Sequence, residues 1–168
     1  MNRRDTMNIK KALILLIITL LMGCASKETH RVDSKENHLT TIRWGENDLQ
    51  EMANSVVSNI LSSSTIDFSK NYAVGKITNR SHDHIDTKIF SHKITTSLLQ
   101  SGRVKMVKEK NSSAIFFGKI SSIFKKSNRT KDMFFNFNLT LIDTKTSQVI
   151  WSHDVPIRKI QKRALFGW

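Results

Sequence analysis

Met133-Phe134-Phe135-Asn136-Phe137-Asn138-Leu139-Thr140-Leu141-Ile142-Asp143 alternates apolar and mixed positions, and that alternation decides the fold. Side chains on a β-strand point to opposite faces with a period of two, so Met133, Phe135, Phe137, Leu139 and Leu141 share one apolar face. Phe134, Asn136, Asn138, Thr140 and Ile142 share the other, which reads either as a solvated sheet surface or as a contact surface. A strand with one apolar face needs cover on one side only, which implies a sheet with a single covering layer.

The neighbouring sequence extends that sheet. Ala114 to Phe124 is a second strong strand, and the basic, breaker-rich stretch Lys125-Lys126-Ser127-Asn128-Arg129-Thr130-Lys131 is a hairpin connection between the two. Asp143-Thr144-Lys145-Thr146-Ser147 is the next connection, leading to a strand from Gln148 to about Val155. Pro156 is the only proline, and it suits the frayed end of that strand. Upstream, Tyr72 to Thr78 reads as a buried strand with a turn at Asn79-Arg80-Ser81, and Val104 to Val107 as a short one.

Two amphipathic helices complete the pattern. One starts at Asn47 with Gln50 as a capping-box partner, places Leu49, Met52, Ala53, Val56, Ile60 and Leu61 on one face, and stops at the serines of 62 to 64. The other is capped by Asp86 or Thr87, carries Ile89, Phe90, Ile94, Leu98 and Leu99, and ends where Gly102 supplies a left-handed residue. The expected class is α+β: a mixed β-sheet of about five strands with its apolar face covered by two helices.

The start of the chain has a different character. A basic n-region is followed by an apolar run from Ala12 to Met22, broken only by Thr19, and then by Gly23-Cys24. Those eleven residues rise about 16 Å as a helix, roughly half a bilayer's hydrocarbon thickness, which fits a removable signal peptide over 1–23 and not a permanent span. Met7 offers a second start that leaves the leader intact. Leu21-Met22-Gly23-Cys24 resembles the bacterial lipobox, which makes Cys24 the expected lipidation site. It is the only cysteine, so no intramolecular disulfide competes for it. Because Ala25 and Ser26 follow, with no Asp, the resemblance implies sorting to the periplasmic face of the outer membrane. Residues 24–46 are polar and mixed in charge and read as a tether, averaging roughly 25 Å as a coil and reaching at most about 75 Å.

The formal charge is +13. Arg3, Arg4, Lys10, Lys11 and Asp5 precede position 24, so 23 basic and 13 acidic residues remain beyond the leader and the mature part carries +10. For an exported chain this balance points away from nucleic acid. It points instead to anionic lipid, the cell-wall polymer, a complementary protein patch, or lysines that only aid solubility.

Residues for catalysis are scarce. The densest polar cluster, His82, Asp83, His84 and Asp86, lacks a third ligand at metal spacing and reads as a helix start. There is no phosphate-cradling glycine loop and no GxSxG turn. Asp132, Asp143 and Asp154 fall at predicted strand ends, where carboxylates cap turns, and Trp151 reads as core. No enzyme activity, metal or cofactor is expected.

Gly75-Lys76-Ile77-Thr78-Asn79, His84-Ile85-Asp86-Thr87, Leu98-Leu99-Gln100-Ser101-Gly102, Gly118-Lys119-Ile120-Ser121-Ser122-Ile123, and Val149-Ile150-Trp151 with Ile157-Arg158-Lys159, in that order, resemble the LpoB family. Its members are outer-membrane lipoproteins that activate bifunctional peptidoglycan synthases, the class A penicillin-binding proteins. The resemblance covers 47–168 and implies a globular domain like the amino-terminal domain of TolB, docking as a monomer on the synthase and contributing no catalytic residue. Family members usually carry a long proline-rich tether, and extra helices where only Lys108 to Ser113 stands here. The contact residues expected are Lys125, Lys126, Arg129 and Lys131 of the basic hairpin, with Phe134 beside it. The alternative is a structural or assembly lipoprotein of a secretion channel or surface appendage, expected to form oligomers.

Overall fold

The computed structural model describes residues 41–162; Cys24, the leader and most of the tether lie outside them. In chain order the elements are α1 (Glu46–Ser62), β1 (Asn71–Arg80), α2 (Thr87–Gln100), β2 (Lys105–Met106), a 3-10 turn (Glu109–Asn111), β3 (Ala114–Lys126), β4 (Thr130–Asp143) and β5 (Val149–Lys162). The sheet order is β2-β1-β3-β4-β5. β1 runs parallel to both β2 and β3, while β3, β4 and β5 are successive antiparallel neighbours. This is the mixed five-stranded, two-helix α+β architecture that the alternation implied.

Met133, Phe135, Phe137, Leu139 and Leu141 are all buried, as their period requires. They meet Met52, Val56 and Ile60 of α1, Phe90, Ile94 and Leu98 of α2, and Phe116 and Ile120 of β3 in one core. Each such side chain contributes roughly 1.5–3 kcal/mol by leaving water. The Phe90 ring lies 4.5 Å from that of Phe137, which in turn sits where a side chain on Gly118 would be. A Cβ there would come within 2.8 Å of Phe137 and 2.9 Å of Ile77, so only glycine lets the ring settle on the sheet.

Several local expectations shift. α1 begins one residue earlier than Asn47, and Gln50 does not close its cap. Gly45 is the N-cap, and Asp48, three residues on, accepts the Gly45 N–H at 2.7 Å. Asp48 displaces Gln50 because it also receives Lys159 from β5, a partner that local sequence does not reveal. Ile42 and Trp44, in the stretch read as tether, pack on the core, and the Trp44 ring lies 5.4 Å from Phe135.

In α2, Asp86 is the cap, accepting from the N–H groups of Lys88 and Ile89, and Gly102 takes a positive φ of 66°. The buried stripe is narrower than expected. Phe90, Ile94 and Leu98 recur every four residues and turn inward, leaving Ile89 and Leu99 to solvent. β5 continues well past Val155 to Lys162, so Pro156 stands inside the strand opposite Asn136 and not at a frayed end. β5 is an edge strand, where part of the N–H row needs no partner. Asp154 is consequently mid-strand, whereas Asp143 does cap its turn, accepting from the N–H groups of Lys145 and Thr146.

Candidate interaction surface

Both helices cover the same side of the sheet, and among the described residues the other side is open over β3, β4 and β5. Its central part is a polar ladder. Asn136 Nδ2 donates to Asp154 Oδ1 at 2.7 Å, Asn138 Nδ2 to Ser152 Oγ at 3.1 Å, and Thr140 Oγ1 to Asn138 Oδ1 at 3.0 Å. These groups satisfy one another across the β4–β5 pair, so this stretch is a regular polar surface.

Toward the β3–β4 hairpin the same face becomes apolar and charged. Ile123, Phe134 and Arg158 stand abreast on the three strands, and Lys125, Asp132 and Ile160 form the next row. Arg158 grips Asp132 with two bonds, Nε to Oδ1 at 3.0 Å and Nη2 to Oδ2 at 2.7 Å, a fork geometry that orders both side chains. Hydrogen bonding from Arg158 holds the Asp132 carboxyl below its ordinary range, and Asp132 in turn raises Arg158. Ile123, Lys125, Asp132, Phe134 and Arg158 enclose a shallow depression of about 250 Å³. Ile123 is 56% exposed and Ile160 53%, so apolar surface rims an ordered ion pair there. Such a surface offers one apolar anchor region and fixed charges, the composition of a protein contact.

The hairpin residues expected to act together are divided by the strand period. Lys125 and Phe134 share the helix-free face. Lys126 and Lys131 pair directly across the hairpin on the opposite face, and Arg129 is in the loop. Arg158, Asp132, Ile123 and Ile160 were not anticipated at this site. For Arg158 and Ile160 the missing signal was the length of β5, since ending it at Pro156 removes the third strand from both rows.

The histidine cluster serves the fold. Asp83 Oδ2 accepts the Trp44 N–H at 2.6 Å and pins the entry to α1, Asp86 caps α2, and His82 Nδ1 lies 3.0 Å from Ser122 Oγ. His82 and His84 are exposed. Trp151 is partly buried with its ring 6.0 Å from Phe116, packed against the core.

The architecture and sequence match known proteins. A family model described as peptidoglycan-synthase activator LpoB matches residues 48–115 and 112–157. The LpoB C-terminal domain from Escherichia coli superposes with a TM-score of 0.51 at 12% identity, covering 66% of this chain and 98% of that one. The corresponding domain from Salmonella enterica gives a TM-score of 0.50 at 11% identity, with the same coverage. At these identities the structures establish likeness of fold alone. No curated protein sequence matches.

Proposed function

The chain belongs to the LpoB family of peptidoglycan-synthase activators, and on that premise we propose that it is a lipoprotein of the outer membrane that binds and activates a class A penicillin-binding protein. Cys24 carries the lipid after removal of residues 1–23, and residues 24 to about 40 tether the domain to the inner leaflet. The domain regulates the synthase and performs no chemistry of its own.

The observation that carries this reading is the family match over 48–157, which spans both helices and the sheet through most of β5. The contact proposed is the hairpin end of the helix-free face, with Phe134 as anchor, Lys125 beside it, and the Arg158–Asp132 fork holding the rim. Preordered side chains lose little entropy on docking, which favours such a site over a mobile loop.

The test is direct. Purified protein spanning 25–168, added to the class A synthase of the same cell, raises glycan polymerisation and crosslinking. Phe134→Ala lowers the apparent affinity by roughly ten- to thirtyfold, the range for losing an anchor of about 1.4–2 kcal/mol. No activation by the parent protein, together with no synthase recovered on crosslinking the lipidated form in cells, overturns the reading.

A further inference from the structure

The division of the basic hairpin leaves Lys126, Arg129 and Lys131 away from the proposed synthase contact, together with Lys162, which faces Thr130 at the end of β5. These four cations are exposed and form no ion pair among the described residues. Lys126 and Lys131 stand directly opposite each other, an arrangement that costs stability because like charges on a cross-strand pair repel. The carboxylate on the adjacent row, Asp132, is already held by Arg158 and does not relieve them. The tip is therefore an uncompensated cationic end.

Apolar side chains accompany it. Phe124 lies on the strand face that buries Phe116 and Ile120, but it is beyond the cover of the helices and is 42% exposed. Ile123 and Ile160 are exposed on the other face of the same end but rim the surface proposed for the synthase, so Phe124 is the apolar group on the side of the cations. A hydrated polyanion engages the lysines and leaves the Phe124 ring in water. A bilayer interface takes both, since lysine stems lie along the acyl boundary while their ammonium groups reach the phosphates.

We propose that the tip of the β3–β4 hairpin, with the end of β5, is a second membrane contact that rests on anionic phospholipid. The path of the chain supports this. Thr41 and Ile42 border a groove that also includes Ile160 and Gln161, so the segment leading back toward Cys24 leaves the domain near this end of β5. The seventeen peptide steps from Cys24 to Thr41 can span at most about 60 Å, which keeps the hairpin within reach of the leaflet. That second argument rests on the acylated Cys24 proposed above; the charge and exposure of the hairpin do not. The domain then stands end-on to the bilayer, with the open sheet face turned to the periplasm.

The test uses protein spanning 25–168, which retains the whole core because the packed residues run from Ile42 to Ile157. Vesicles of phosphatidylcholine with and without phosphatidylglycerol are sedimented with it. Binding is expected only to the anionic vesicles, weakening as salt rises, and Lys126→Gln with Lys131→Gln lowers the partition coefficient about fivefold per cation removed. Phe124→Ser lowers the binding that persists at high salt. The double glutamine variant melts no lower than the parent and activates the synthase equally in detergent, which separates this contact from the docking site. Equal binding to neutral vesicles, or a double variant that binds like the parent, overturns the proposal. So does retention by isolated peptidoglycan in place of vesicles. So does loss of all binding when the chain is ended at Lys162, since residues 163–168 would then carry the contact.

Discussion

Lys159→Met tests how the domain is closed at its entry. Lys159 Nζ donates to Asp48 Oδ2 at 2.5 Å and to the Arg43 carbonyl at 2.9 Å, and the two side chains are only 11% and 4% exposed. Removing the ammonium leaves the Asp48 carboxylate buried with the Gly45 N–H as its remaining partner. Stranding one member of a buried pair costs about 3–5 kcal/mol, because the surviving charge keeps its desolvation penalty without its counter-charge. A domain of this size has about 5–15 kcal/mol in all, so a fifth or more of its stability is at stake. At about 4 °C per kcal/mol, the melting temperature falls by roughly 12–20 °C. Urea unfolding should show a lower midpoint with an unchanged slope. In the double variant Asp48→Leu, Lys159→Met no charge remains, and stability should return to within about 1–2 kcal/mol of the parent, the remaining deficit reflecting the lost cap. A single variant within about 1 kcal/mol of the parent would refute the reasoning, since it would mean that water already screens the pair.

Gly118→Ala drives a Cβ into Phe137 and Ile77 and should cost about 1–3 kcal/mol by overpacking, measured by the same unfolding curves. Acid should destabilise the domain. Asp132, Asp143 and Asp67 are held below their ordinary value, chiefly by Arg158, by the Thr146 N–H and by the Ser69 hydroxyl respectively. Their contribution is complete above about pH 4 and is lost as pH falls through the lower folded values, so a melting series should slope downward on the acid side. Alkali destabilises the domain as well, through Tyr72. Burial raises this phenol above its ordinary value, so its contribution is intact below about pH 10 and is lost as pH rises through the folded value. Cys24→Ala should abolish palmitate incorporation and move the protein from the membrane fraction; unchanged fractionation would remove the lipid anchor from the account.

Local periodicity and cap chemistry were enough to read the strands, both helices and the layer that covers the sheet. Phe135, Phe137 and Leu139 declare their face by the geometry of the extended chain, and Asp86 and Gly102 mark helix ends through bonds to residues a few positions away. The ordered family motifs are likewise linear signals. What lay beyond the sequence depends on partners remote in the chain. Asp48 closes the cap at Gly45 because Lys159, 111 residues later, meets it in the closed domain. Pro156 looked like a strand end until the edge position of β5 removed the need for its N–H. That extra length of β5 brought Arg158 to Asp132 and set Ile160 opposite Asp132. The basic hairpin, continuous in sequence, was parted by the sheet into two surfaces. Register and edge position are set by which strands meet, so only the assembled tertiary structure decides which charges stand together.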